Sequence, residues 1–267
     1  MKIMGQIFKN AEMVRVWLGD NDRNDAFEMI KKIDKAFGIW PEDGRERWQK
    51  WLKSVGPFVD DNCQLSSPEW KRYRGLINCP WFSRVWVLQE IGLASSAIVM
   101  CEEDEMDWWH FKRMALFIEL DGRLIQSDNA LKTIGRMPRP FSKRSDVPFL
   151  KVLHEARNHQ AADPRDKVFA LLSHPSAQNL LRGRTIAQAD YTKPVLEVYQ
   201  EIAEELPRTP GHHLELLSAV EHVPHVNFDQ LDGFPSWVLR WELGVNQPFS
   251  VTLSSVVPEL LQAKSLR

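Results

Sequence analysis

Apolar residues at Ile3, Met4, Ile7, Phe8 and Ala11 recur at helical spacing from the start of the chain. Met13-Val14-Arg15-Val16-Trp17-Leu18 follows, a β-branched run closed by Gly19-Asp20, which predicts a buried strand. Residues 23–37 return to helical spacing through Ala26, Met29, Ile30, Ile33 and Phe37. Helix, strand, helix is a fragment of an α/β layer. Gly38, Pro41, Gly44, Gly56 and Pro57 then break the pattern, with one short helix expected around Arg45–Val55. A helix over 68–78 comes next, with Ser67 as N-cap and Pro68 at the first helical position. Residues 80–96 hold both a strand-like run, Val85–Leu88, and helical spacing of Trp86, Gln89, Glu90 and Leu93; helix is preferred. Ala97–Cys101 predicts a short strand, Glu102–Glu105 an acidic turn, and residues 107–120 a helix.

The second half has less periodicity. Gly122, Gly135, Pro138 and Pro140 interrupt residues 121–147, and Lys132, Arg136, Arg139, Lys143 and Arg144 occur there with no acid among them. A helix is expected over 148–160. Asp163 then stands as a cap, Pro164 at the first helical position and Asp166 in the first turn, predicting a helix through Leu172. Thr192 before Lys193-Pro194 opens an amphipathic helix to about Leu206, with Val195, Val198, Tyr199 and Ile202 on its apolar face. Leu214–Val220 has helical spacing, and Phe234–Trp241 is an aromatic segment. The expected fold is α/β but helix-dominated. A small sheet near Val14–Leu18 and Ala97–Cys101 belongs to a region 1–106, and a mainly helical region with an irregular tail spans 107–267.

Composition narrows the function classes. The 267 residues, 43% hydrophobic and 26% charged, suit one large globular domain or two small ones. A net charge of −2 gives no global pull toward nucleic acid or an anionic membrane. No apolar run approaches the roughly 20 residues that span a bilayer, and the first residues lack the pattern of a signal peptide. Three cysteines, Cys63, Cys79 and Cys101, form no pattern and suit a reducing, cytoplasmic setting. The 11 tryptophans exceed ordinary usage. They fit an aromatic-rich core, and also an aromatic-lined binding surface.

Few patterns carry chemistry. There is no phosphate-cradling glycine loop and no nucleophile elbow. His212, His213, His222 and His225 have no cysteine partner near them, so no metal site is expected. The acidic run 102–107 lacks the alternating ligands of a calcium loop, and the basic run 132–144 fits a solvated loop. The pair Trp86 and Glu90 is different. On a helix they are i and i+4 and share a face. A carboxylate beside an indole is partly desolvated, which raises its pKa and suits acid/base work or stabilisation of a developing cation. The competing reading makes Trp86 core and pairs Glu90 with a base such as Arg84 or with a backbone donor.

Five segments, in order, resemble the fungal heterokaryon incompatibility (HET) family. They are GQIFKNAEMVRVWLGD (5–20), CPWFSRVWVLQEIGLA (79–94), DPRDKVFALLSH (163–174), ADYTKPVLEVYQEIA (189–203) and FPSWVLRW (234–241). The family's opening segments, of the S-Y-x-W-G and W-I-D-x-x-C-I-N-Q types, do not occur. Arg240 stands where the family commonly has an acid, and Ser173-His174 replace Gly-Leu. The resemblance implies a HET domain without its first strand, leaving a sheet edge and an apolar face exposed. It further implies non-self recognition and regulated cell death through a protein partner or self-association, with no cofactor. HET domains are similar to TIR domains, flavodoxin-like folds whose NAD-cleaving members carry a W-x-x-x-E pattern; Trp86 and Glu90 match its spacing. By that analogy Glu90 is the catalytic carboxylate, Trp86 supports it, and NAD is the substrate.

Overall fold

The computed structural model describes residues 3–19, 24–37, 68–120, 147–179, 184–208, 233–235 and 237–244. The chain divides into two compact units, residues 1–142 and 143–267. The sequence-based helix at 45–55, the basic run 132–144, the helix at 214–220 and the four histidines His212, His213, His222 and His225 all lie outside the described residues.

The first unit runs α1 (Met4–Asn10), β1 (Val14–Trp17), α2 (Asn24–Phe37), α3 (Pro68–Ile77), α4 (Pro80–Ser83), α5 (Trp86–Gly92), β2 (Ala97–Cys101), β3 (Asp104–Asp107) and α6 (Trp108–Leu120). The sheet order is β1-β2-β3, with β1 parallel to β2 and β3 antiparallel to it. Alternation along each strand gives the sheet two unlike faces. Val14, Val16, Val99, Cys101 and Met106 are buried, in one core with Phe27 and Ile30 of α2, Tyr73 and Leu76 of α3, and Phe111 and Met114 of α6. Aromatic packing knits this core: Phe27 meets Phe111 edge-on at 5.8 Å, and Trp108 stacks on Phe111 at 5.8 Å. Asp34 links α2 to α6 through His110 Nδ1 at 2.8 Å and Arg113 Nε at 2.8 Å.

The other sheet face carries Arg15, Trp17, Glu105 and Asp107, all exposed, with Ile98 and Met100 half-buried between them. Strand register sets these side chains in two rows, Arg15–Ile98–Asp107 and Trp17–Met100–Glu105. A parallel pair is normally covered on both faces. Val14 N–H donates to Ser96 O and Leu18 N–H to Met100 O. In a parallel ladder this turns the backbone groups of Arg15 and Trp17 to the outer edge of β1.

The expected elements that fall on described residues of this unit appear, with three differences. The helix expected over 80–96 is two short helices, α4 and α5, parted at Arg84–Val85. The acidic turn is only Glu102–Glu103, with Glu102 at φ +52°, and Asp104–Asp107 is a third strand. Its acids read as turn residues, but pairing with β2 and burial of Met106 hold it extended. The helix at 108–120, placed by sequence in the second region, packs on α2, β2 and β3 within the first unit. The tryptophans are also less buried than a core reading implies. Of those described, Trp241 is 1% exposed, whereas Trp17, Trp109 and Trp237 are 49%, 49% and 39% exposed.

The second unit holds α7 (Phe149–Ala156), α8 (Asp166–Phe169), a two-stranded ribbon of β4 (Gln178–Asn179) and β5 (Arg184–Thr185), and α9 (Val195–Glu205). Three helices are shorter than their sequence patterns. α7 ends at Ala156. α8 begins at Asp166 because Asp163 Oδ1 accepts Arg165 N–H at 3.0 Å and forms a turn there. α9 starts after Pro194, since Thr192 is taken up by Asp190, which accepts from its N–H and Oγ at 2.9 and 2.6 Å. The ribbon has no clear sequence signal.

Candidate functional site

Glu90 is the fifth residue of α5, directly after the buried Val87, Leu88 and Gln89. The preceding helix, α4, opens on Pro80 and is closed where Arg84 N–H donates to Trp81 O at 3.3 Å. This corner brings Trp81 and Arg84 to Glu90. The Trp81 indole N–H donates to the Glu90 carboxylate, and Arg84 Nη2 sits 3.7 Å from Glu90 Oε1. Burial lifts the Glu90 carboxyl above the usual carboxylate range, while Arg84 and Trp81 pull it back. Trp86 is half-buried on the same helix. Trp81 is fixed from behind by Phe82 at 5.1 Å and Trp108 at 6.0 Å, both edge-on.

The carboxylate therefore faces a guanidinium and an indole donor. The carboxyl keeps its proton to a higher pH than an exposed glutamate does. It also occupies the oxygens that a substrate cation would need. Sequence spacing singled out Trp86; the indole bonded to Glu90 is Trp81, which sits on a separate short helix where periodicity gives no signal.

A second constellation in the other unit was not singled out as a site by the sequence. Arg165 forks onto Asp163, with Nε 2.9 Å from Oδ1 and Nη2 2.7 Å from Oδ2. Its Nη1 donates to the carbonyls of Tyr191 and Lys193 at 2.6 and 2.9 Å. The Tyr191 hydroxyl bonds Asp166, and the Tyr199 hydroxyl donates to Pro164 O at 2.8 Å. Lys167 is buried and donates Nζ to the carbonyls of Arg157 and His159. Burial and the nearby Arg157 push its pKa down to about 8. Arg157 donates to Leu243 O at 2.9 Å and Arg240 O at 3.3 Å. Arg240 lies over Phe234 at 4.8 Å and bonds Glu242 at 2.8 Å. Every charged side chain here is spent on a backbone group or on another side chain, so the constellation is a clasp. It joins segments 163–174, 189–203 and 234–241, three of the five that carry the family resemblance. Among the described residues no group of histidines, cysteines and acids is placed to hold a metal ion. Cys79 and Cys101 are buried thiols that donate to Leu18 O and Gly19 O at 3.5 and 3.4 Å.

The first unit is thus an α/β module with one buried sheet face, one open sheet face and a carboxylate locked in an aromatic corner. Residues 1–90 match the family model for the heterokaryon incompatibility protein (HET), from α1 through to Glu90. That match implies a role in heterokaryon incompatibility. No curated protein and no solved structure matches the chain. No described helix is long and apolar enough to cross a membrane.

Proposed function

We propose that the chain is a cytoplasmic signalling module of fungal heterokaryon incompatibility and the regulated cell death that follows, and that it acts through protein–protein contacts. The observation that carries this reading is the apolar exposure of α1 and β1. Ile3, Ile7, Met13 and Trp17 are 65%, 52%, 41% and 49% exposed. Ile3, which caps the start of α1, and Ile7 are one turn apart and share a face, while Trp17 stands on the open sheet face. Apolar groups concentrated on one small element pair favour a docking surface over scattered surface residues. Expressing the full chain in hyphae and scoring growth arrest tests the reading. I7S and W17S are expected to weaken the arrest while leaving the circular-dichroism melt unchanged. Arrest as strong as wild type in both variants would remove it.

A second reading makes the module an NAD glycohydrolase using Glu90 with Trp86 in support. Its support is the raised pKa of Glu90 in an aromatic corner. Against it stands the engagement of that carboxylate by Arg84 and Trp81. The expected result is no NAD consumption above background by the purified chain; turnover that disappears in E90Q would establish the enzyme instead.

A further inference from the structure

The open face of the three-stranded sheet is charge-ordered from edge to edge. Arg15 lies on β1, Ile98 and Met100 lie on β2, and Glu105 and Asp107 lie on β3. The cation and the anions are thus at opposite edges with the apolar pair between them. Arg15 Nη1 leans over Met100 Sδ at 4.0 Å, so its stem covers the apolar strip while its charge stays in water. Asp107 already has a role, accepting Trp109 N–H at 2.7 Å at the start of α6. Glu105 is exposed and is the acid available to a partner.

We infer that this sheet face binds the same face of a second copy of the chain, related by a twofold axis running along the strands, with Arg15 of each copy set against the acidic edge of the other, level with Asp107 and one same-face position from Glu105. This rests on the protein-contact reading above and specifies its partner. A twofold along the strands, placed over β2, lays β1 of one copy over β3 of the other. Each cation then meets the acidic edge, and Ile98 and Met100 meet their own counterparts. A twofold across the strands would lay β1 on β1 and oppose like charges. A surface with its opposite charges at opposite edges is self-complementary under the first operation, as a closed dimer requires. Aligned packing of two sheet faces is also an ordinary geometry, at a spacing of roughly 10 Å.

The area sets the strength. Three strands of about four residues cover roughly 200 Å², well below the roughly 800 Å² per partner of a stable interface. The dimer is therefore weak and concentration-dependent, as suits a signal that must switch on when copies are brought together.

Sedimentation velocity of the full chain over a concentration series tests this. Wild type is expected to shift toward dimer with rising concentration, and less so at high salt. R15E and E105R should each weaken association at least about tenfold, because the twofold repeats each reversed pair. Mixing the R15E chain with the E105R chain should restore it, since each reversed charge then meets its opposite. W17S keeps the charges and tests the apolar share of the face; its melting profile controls for folding. Association that is indifferent to both reversals would overturn the proposed face while leaving self-association standing. A wild-type chain that stays monomeric to its solubility limit would overturn the second copy as partner, whereas the growth-arrest assay would still judge the contact reading.

Discussion

Glu90 shows how far a single residue can be read from spacing. Its competing partner, Arg84, was legible because the two are close in sequence, and the 3.7 Å pair is present. Trp81 was not legible, because its approach depends on the corner between two short helices. His174 is a second residue whose environment matters more than its neighbours in sequence. It is fully buried, with Nδ1 2.7 Å from Ser176 Oγ, and burial pushes its pKa from 6.5 down to about 4. The unfolded chain therefore binds the proton first as pH falls. The stability that the neutral form contributes is complete above pH 6.5 and is lost as pH falls toward about 4. The loss is up to about 3 kcal/mol for a shift of this size. Urea unfolding at a series of pH values should show this slope in wild type and a flatter one in H174Q. Equal slopes would mean that other groups carry the acid sensitivity.

At the scale of elements, the strong amphipathic patterns gave α1, β1, α2, α3, β2, α6 and α9 close to their observed bounds, while the single helix expected over 80–96 is split into α4 and α5. What escaped was structure held by partners. β3 is acidic and reads as a turn, but β2 pairs with it from Ile98 to Cys101. α8 starts later than its sequence pattern because Asp163 and Arg165 build a turn instead. Composition could not foresee that the DPRDKV segment binds two distant segments through side chain to carbonyl bonds. The clasp has its own prediction. Tyr199 is fully buried and donates to Pro164 O at 2.8 Å. Y199F should cost about 1–2 kcal/mol, the effect of losing a buried hydrogen bond and stranding its acceptor. A chemical-denaturation midpoint unchanged from wild type would show that the bond adds nothing. R165K should also destabilise, since lysine cannot fork onto Asp163 and reach two carbonyls together.

For the whole molecule, the fold class was legible in outline, and the family match over residues 1–90 agrees with the first two of the five resembling segments. The open sheet face was legible in part: an exposed edge and apolar face were expected, but the acidic third strand that completes the charge pattern was not. The account gives the two candidate regions of the first unit different tasks, with the Glu90 corner holding α4 to α5 and the α1–β1 surface meeting partners. Growth arrest in hyphae expressing W17S or E90Q at equal protein levels separates those tasks. The account predicts that W17S weakens arrest and that E90Q leaves it near wild type. Arrest lost in E90Q and kept in W17S would contradict it and make Glu90 the centre of the function.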